Sequence, residues 1–128
     1  MRKAYLAISF VDSSKYKDLL AHLKKTLLAI DIELLIFVEK YHFKTGEEYE
    51  MMQTAFREID SCDFLIAELS HKSIGAGIEM GYAYSQQIPI IYIHHKDVKV
   101  SSTALGIAKY HIAYTGAEDL GECLLGFM

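Results

Sequence analysis

The chain has 128 residues, 52% of them hydrophobic, which is the size and composition of one ordinary domain with a substantial core. Its formal net charge of -4 disfavours nucleic acid as the main partner, because proteins that bind a phosphate backbone usually carry a basic face. The two cysteines, Cys62 and Cys123, are far apart and in no CxxC pair, so neither a disulfide framework nor a metal site is predicted.

The first half of the chain alternates between strand and helix patterns. Residues 3–10 form an apolar run that ends at turn residues and predicts a first strand. This run is too short for a signal peptide or a membrane span, so we expect a cytoplasmic protein with no membrane partner. Leucines at helical spacing after Tyr16 predict an amphipathic helix, and residues 33–38 predict a buried second strand. Thr45 and Glu48 have the spacing of a capping box, which predicts a helix from there to about Asp60.

The second half continues the alternation. Residues 63–69, 89–94 and 109–114 predict three more strands, with a helix from Gly75 to about Gln87, a short helix near Ala104 and a last helix over 117–127. Strands separated by helices predict right-handed βαβ units, and therefore an α/β sandwich of three layers around a parallel five-stranded sheet. No repeat or linker divides the chain, so we expect residues 1–128 to form a single domain. Glu68, at the end of the third strand, is predicted to be a buried carboxylate bonded to a neighbouring backbone amide, and we assign it no catalytic role.

The expected sheet topology points to a ligand site. Ligands of open parallel sheets bind beyond the carboxyl ends of the strands, where the strand order reverses. For the order 2-1-3-4-5, that point lies between the loops 9–14 and 70–77. Serine hydroxyls and the amides of a helix start suit a phosphate or a sugar hydroxyl, which makes Ser70, Ser73, Gly75 and Gly77 candidate substrate-binding residues. Tight packing of this loop is the alternative explanation.

Glu79 lies shortly after these glycines, near the start of the predicted helix. A carboxylate that faces the crevice could hydrogen-bond a ribose hydroxyl, or attack or stabilise an anomeric carbon. On an exposed face it would only complement the helix dipole.

The stretch DFLIAELSHKSIGAGIEMGYAYSQQIPIIYI resembles the nucleoside 2-deoxyribosyltransferase superfamily, and in this motif especially its 2'-deoxynucleoside 5'-monophosphate N-glycosidases. The resemblance implies a flavodoxin-like fold with the strand order 2-1-3-4-5, a homodimer or higher homo-oligomer, and no cofactor. It also implies that Glu79 is catalytic, that Tyr5 in KAYLAISF orients it, and that the substrate is a small nucleotide or nucleoside. Ser73 matches the position where phosphate-using members carry serine.

The resemblance adds further residues to the predicted site. The chain also differs from the family pattern in its first loop and at Ala55. Ser9 and Phe10 are expected to bind substrate from the first loop, and Ser102 and Thr103 match a segment that reaches the neighbouring subunit's phosphate site. A capping role would explain the latter two equally well. The first loop contains no glycine or arginine, and Ala55 occupies the place of a family aspartate.

Three functions therefore remain open. The first is an N-glycosidic bond hydrolase or (deoxy)ribosyl transferase with a glutamate nucleophile. The second is a non-enzymatic nucleotide-binding or sensor domain, which the glycine-poor loop and Ala55 favour. The third is an NAD-type ribosyl hydrolase, because a glutamate in such a crevice also serves that chemistry.

Overall fold

A computed structural model describes residues 1–9 and 16–127 of the chain. The five strands are β1 (Arg2–Ala7), β2 (Ile32–Ile36), β3 (Phe64–Glu68), β4 (Ile90–His95) and β5 (Tyr110–Tyr114). The helices are α1 (Lys17–Leu28), α2 (Phe37–Lys40), α3 (Glu48–Asp60), α4 (Ile74–Ser85), α5 (Ser102–Ile107) and α6 (Ala117–Phe127). In these described ranges, no helix combines the length and apolar character that crossing a membrane would require.

All strand pairs are parallel and the strand order is β2-β1-β3-β4-β5, which confirms the predicted fold class and topology. One face of the sheet packs on α1 and α6, whose leucines repeat along one side of each helix. The other face packs on α3, α4 and α5. Strand β1 lies in the sheet interior, and Tyr5 is aligned with Leu35 of β2 and Leu65 of β3. The backbone of Tyr5 is therefore held by a neighbouring strand on each side, which fixes where its side chain starts.

Three element boundaries differ from the sequence expectation. Strand β1 ends at Ala7, so Ile8 and Ser9 follow the strand, while Phe10 lies outside the described residues. The predicted capping box at Thr45 is wrong, because α3 begins at Glu48 and its N-cap, Glu47, makes no capping bond through its side chain. The carboxylate of Glu48 instead accepts the Gly46 N–H at 2.6 Å within the preceding turn. The polar residues of this segment thus stabilise a turn, and the helix begins three residues later than Thr45.

The second strand is also shorter than expected. Residues 37 and 38 belong to α2, a single helical turn that starts directly after β2. The apolar run continues across this boundary, and an apolar run of this length does not distinguish strand from buried helix. The change of direction brings Phe37 and Val38 over the carboxyl end of the sheet.

Glu68 is fully buried at the end of β3, as predicted. Its Oε1 accepts the Ser70 N–H at 2.7 Å, and its Oε2 accepts the Ser70 hydroxyl at 2.6 Å and the Tyr114 hydroxyl. The Ser70 hydroxyl also accepts the His95 N–H at 2.9 Å. This network joins the ends of β3, β4 and β5, because each partner is supplied by a different strand or its following loop.

We expect the substitution Tyr114→Phe to lower the free energy of unfolding by about 1–3 kcal/mol, because it removes a hydrogen bond from a carboxylate that water cannot reach. Denaturant unfolding measures this change. Tyr84→Phe is the matched control, since Tyr84 is 59% exposed and its change should stay within about 0.5 kcal/mol. Equal effects of the two substitutions would contradict the structural role of the Glu68 network.

Candidate active site

A cavity of about 220 Å³ lies at the carboxyl ends of β1 and β2, between α3 and α4. It reaches Ser9 and Ser73, in the two loops between which the strand order reverses, so the cavity is where the topology predicted a ligand site. It is lined by side chains from β1, β2, α2, α3 and α4 and from the loops that follow β1 and β3: Tyr5, Leu6, Ile8, Ser9, Ile36, Phe37, Val38, Met51, Met52, Ala55, Ser73, Gly75, Ala76 and Glu79.

Tyr5 and Glu79 meet inside this cavity. Tyr5 is fully buried on β1, and its hydroxyl donates a hydrogen bond to Oε2 of Glu79 in the second turn of α4. Burial raises the pKa of Glu79 to about 7, and the hydrogen bond from Tyr5 opposes this rise by favouring the ionised carboxylate. Burial and the nearby carboxylate raise the pKa of Tyr5 above its ordinary value, so this phenol remains a donor. The pair is thus a carboxylate poised near neutral pH with a fixed partner on one oxygen.

Ser73 forms the rim of the cavity next to Glu79. It is the N-cap of α4, and its Oγ accepts the Ala76 N–H at 3.1 Å. Gly75 and Ala76 follow on the same rim, and a β-carbon added at Gly75 would meet only the Ser73 hydroxyl, at 3.9 Å. The start of α4 therefore brings a hydroxyl and a backbone with little side-chain bulk beside the carboxylate.

The other predicted site residues have different positions. Ser70 is buried and its hydroxyl is bonded to Glu68 and to the His95 amide, so the structure does not place it in the cavity. Gly77 is not part of the lining either, and its N–H donates to the Ser73 carbonyl oxygen inside α4. Ser102 and Thr103 belong to the first turn of α5, which Ser101 caps, and they lie outside this cavity. Phe10 lies outside the described residues.

One wall of the cavity was not expected from the sequence. We name it the apolar wall and define it by six residues from β2, α2 and α3: Ile36, Phe37, Val38, Met51, Met52 and Ala55. Met51 and Met52 both contribute to the lining of the cavity. Met51 and Met52 are each at helical spacing from Ala55, and the turn of α2 shows what this side of α3 meets. Behind this wall, Phe37 packs on Tyr41 and Phe43 at ring distances of 5.0 and 6.0 Å.

The two sides of the cavity therefore differ in chemistry. The side formed by β1 and α4 carries a carboxylate, a phenol and two hydroxyls, whereas the apolar wall presents only carbon and sulfur atoms through its side chains. A ligand with a polar end and a flat apolar end matches this division. Neither Glu50 nor Gln53 is among the lining residues, so neither takes the place of an acid at Ala55.

Comparison with known proteins identifies relatives of this chain. The curated protein "Putative 2'-deoxynucleoside 5'-phosphate N-hydrolase 1" of Methanosarcina mazei is 32% identical over 94 residues, which are 71% of this chain and 58% of that protein. The protein of the same name from Syntrophotalea carbinolica is 33% identical over 64 residues, 50% of this chain and 45% of that protein. The matched regions thus span about half the length of these relatives.

Solved structures share the fold at low sequence identity. A CMP N-glycosidase from Clostridium botulinum has a TM-score of 0.75 with 17% identity, over 99% of this chain and 100% of that one. A 2-deoxyribosyltransferase from Bacillus psychrosaccharolyticus has a TM-score of 0.74 with 13% identity, over 93% of this chain and 90% of that one. The model of the family "Nucleoside 2-deoxyribosyltransferase" matches residues 4–118, which include most of β1, the apolar wall and the start of α4. The chain belongs to the nucleoside 2-deoxyribosyltransferase family.

Proposed function

We propose that this protein breaks the N-glycosidic bond of a nucleotide or nucleoside, with Glu79 as the nucleophile and either water or a second base as the acceptor. The observation that carries this proposal is the Glu79 carboxylate in the cavity, held by Tyr5 and flanked by Ser73. Membership of the family and the N-hydrolase name of the curated relatives support the same class of reaction.

The chemistry follows from the position of the carboxylate. Tyr5 binds Oε2 of Glu79, which leaves Oε1 to attack the anomeric carbon as the bond to the base breaks. The developing positive charge on the sugar is stabilised by the adjacent carboxylate, and a glycosyl ester forms. Water or another base then attacks the same carbon and releases Glu79. Because attack requires the ionised form, the pKa of about 7 places the functional transition near neutral pH.

The sugar and any phosphate would lie along the rim formed by Ser9 and Ser73. The Ser73 hydroxyl stands at the N-terminus of α4, a twelve-residue helix whose positive end favours an anion. Gly75 allows the ligand to approach this helix start closely. A 5′-monophosphate is therefore a better guest for this rim than a neutral group of the same size.

We further propose that the protein acts as a homodimer. Three large apolar side chains on α4 and α5 are exposed in the single chain: Ile74 by 85%, Ile78 by 49% and Leu105 by 44%. Ser102 and Thr103 start α5 beside this surface and lie outside the cavity of their own chain. A second copy packed on this surface would bury the apolar residues, and it would bring these two hydroxyls toward the neighbouring cavity.

We expect the purified protein to release free base from at least one nucleoside 5′-monophosphate or its 2′-deoxy form. Glu79→Gln should lower kcat about 1000-fold or more, because it removes the nucleophile while keeping the side-chain volume. Chromatography of the released base measures both. Glu122→Gln, an exposed change on α6, is the control and should leave kcat unchanged. Tight nucleotide binding without release from any substrate would contradict the enzyme and favour a nucleotide-binding domain.

We also expect a pH-dependent difference in stability between the wild type and Glu79→Gln. The folded-state pKa of about 7 is above the ordinary value of 4.5, so the folded protein binds this proton more tightly than the unfolded chain. The associated stabilisation is complete below pH 4.5 and is lost as the pH rises through about 7. Over this pH range, the free energy of unfolding of the wild type should therefore fall relative to that of the variant, by about 1.4 kcal/mol for each pH unit by which the folded-state pKa exceeds 4.5. A stability difference between the two proteins that stays constant with pH would contradict the raised pKa of Glu79.

For the proposed dimer, we expect Leu105→Glu to convert the protein into a monomer in sedimentation equilibrium, because a charge would be buried in the contact. Leu125→Glu is the matched control. Leu125 is 41% exposed on α6, across the sheet from α4 and α5, and its change should leave the mass unchanged. A wild-type protein that sediments as a monomer at all concentrations would contradict the proposal.

A further inference from the structure

The distribution of polar groups in the cavity restricts the kind of base that can leave. The lining side chains that carry oxygen belong to Tyr5, Ser9, Ser73 and Glu79, all on the side of β1 and α4. Among the described residues that line the cavity, Glu79 is the only carboxyl group, and none is a histidine, lysine or arginine. With the sugar at Glu79 and Ser73, the base must lie against the apolar wall.

Among the residues that the structure describes, the acidic side chains of α3 do not supply a proton donor to the cavity. Glu58 is buried and does not line the cavity, and its Oε2 accepts hydrogen bonds from Lys40 Nζ at 2.7 Å and from the Tyr41 hydroxyl at 2.9 Å. Burial alone would raise the pKa of Glu58, but the hydrogen bonds from Lys40 and Tyr41 outweigh it, so the pKa is lowered and the ionised form is favoured. Asp60 accepts the Tyr82 hydroxyl at 2.8 Å at the end of the helix. On the cavity side, Ala55 presents a methyl group.

The two polar groups next to the reaction centre are also unsuitable as acids toward the base. Glu79 is consumed as the nucleophile in the first step. The Tyr5 hydroxyl donates a hydrogen bond to Glu79, and the raised pKa of Tyr5 makes transfer of its proton to a base unfavourable. A neutral purine or pyrimidine leaves as an anion unless it is protonated, and general acid catalysis of this kind contributes about 100- to 10,000-fold. A base that departs as a neutral molecule needs no such donor.

We propose that the preferred substrates are N-glycosides whose base carries a positive charge, such as nucleotides of N-alkylated purinium or pyridinium rings. This inference rests on the proposed function and specifies its substrate class. Glu79 Oε1 forms a bond to the anomeric carbon, and the carbon–nitrogen bond breaks with its electron pair passing to the ring nitrogen. The positive charge of the ring is thereby cancelled, so no proton is transferred to the base. Water then cleaves the glycosyl ester and delivers one proton to solvent.

The surroundings of the cavity fit such a ring in a second way. A cationic ring is attracted by the Glu79 carboxylate, while its flat apolar surface contacts Phe37, Met51 and Met52. After the bond breaks, the neutral product loses the attraction to the carboxylate. The charge that helps binding is thus the charge that the reaction removes, which favours release of the product.

The test compares matched substrates on the wild-type protein. One pair is 7-methyl-GMP and GMP, a second is the corresponding pair of 2′-deoxynucleotides, and nicotinamide mononucleotide represents pyridinium rings. After subtraction of the spontaneous release seen with Glu79→Gln, we expect kcat/KM for the cationic member of a pair to exceed that of the neutral member at least about 100-fold. Values within about tenfold of each other would overturn the inference while leaving the proposed function intact. Failure of every substrate, cationic and neutral, would overturn both.

A second experiment places an acid in the apolar wall by substitution. Ala55→Asp should raise kcat/KM for the neutral member of a pair about 10-fold or more and leave the cationic member without that gain, because only the neutral base profits from a proton donor. Ala55→Asn is the matched control, since it has the same size without the acid and should produce no selective gain. An equal gain for both substrates with Ala55→Asp would contradict the role assigned to this wall. If either variant fails to fold, the wild-type comparison still decides the question.

Discussion

The hydrogen bond between the Tyr5 hydroxyl and the Glu79 carboxylate is the constraint on which the rest of the site depends. It joins an interior strand to a helix that packs on the sheet, and it fixes one carboxylate oxygen. Strands β2 and β3 hold β1 on both sides, so the phenol has little freedom to move. The carboxylate is thereby kept in a partly desolvated position that an exposed glutamate on α4 would not occupy, and its pKa rises to about 7 as a result.

A comparison of two glutamates shows how the fold gives carboxylates different surroundings. Glu68 and Glu79 both accept a hydrogen bond from a buried tyrosine at the carboxyl edge of the sheet. Glu68 has two further donors from Ser70 and is fully enclosed, so its bonding capacity is used inside the protein. Glu79 faces a cavity with one oxygen bonded to Tyr5. Carboxylates that are saturated with partners stabilise a fold, whereas a partly bonded carboxylate at a cavity is available for chemistry.

Much of the fold could be predicted because apolar runs and helical spacings are local signals. The strand order, the position of the site and the approach of Tyr5 and Glu79 followed from βαβ topology and the family resemblance. The role of Ser70 was missed, since a hydroxyl in a loop gives no local sign that its partners are Glu68 and a strand amide. The apolar wall was missed because the turn from β2 into α2 is hidden in a continuous apolar run. The bond from the His95 amide to Ser70 joins residues 25 positions apart, and the cavity that the apolar wall faces is built from several separate elements, so sequence spacing alone reveals neither feature.

Trapping the covalent bond between Glu79 and the sugar tests the proposed mechanism most directly. A 2′-fluoro-arabino analogue of a substrate nucleotide destabilises the positively charged transition states and allows the ester to accumulate. Peptide mass spectrometry of the treated protein should then show one glycosyl group on the peptide that contains Glu79, and none on the Glu79→Gln variant. Base release from the true substrate combined with an adduct on a different residue would contradict the account.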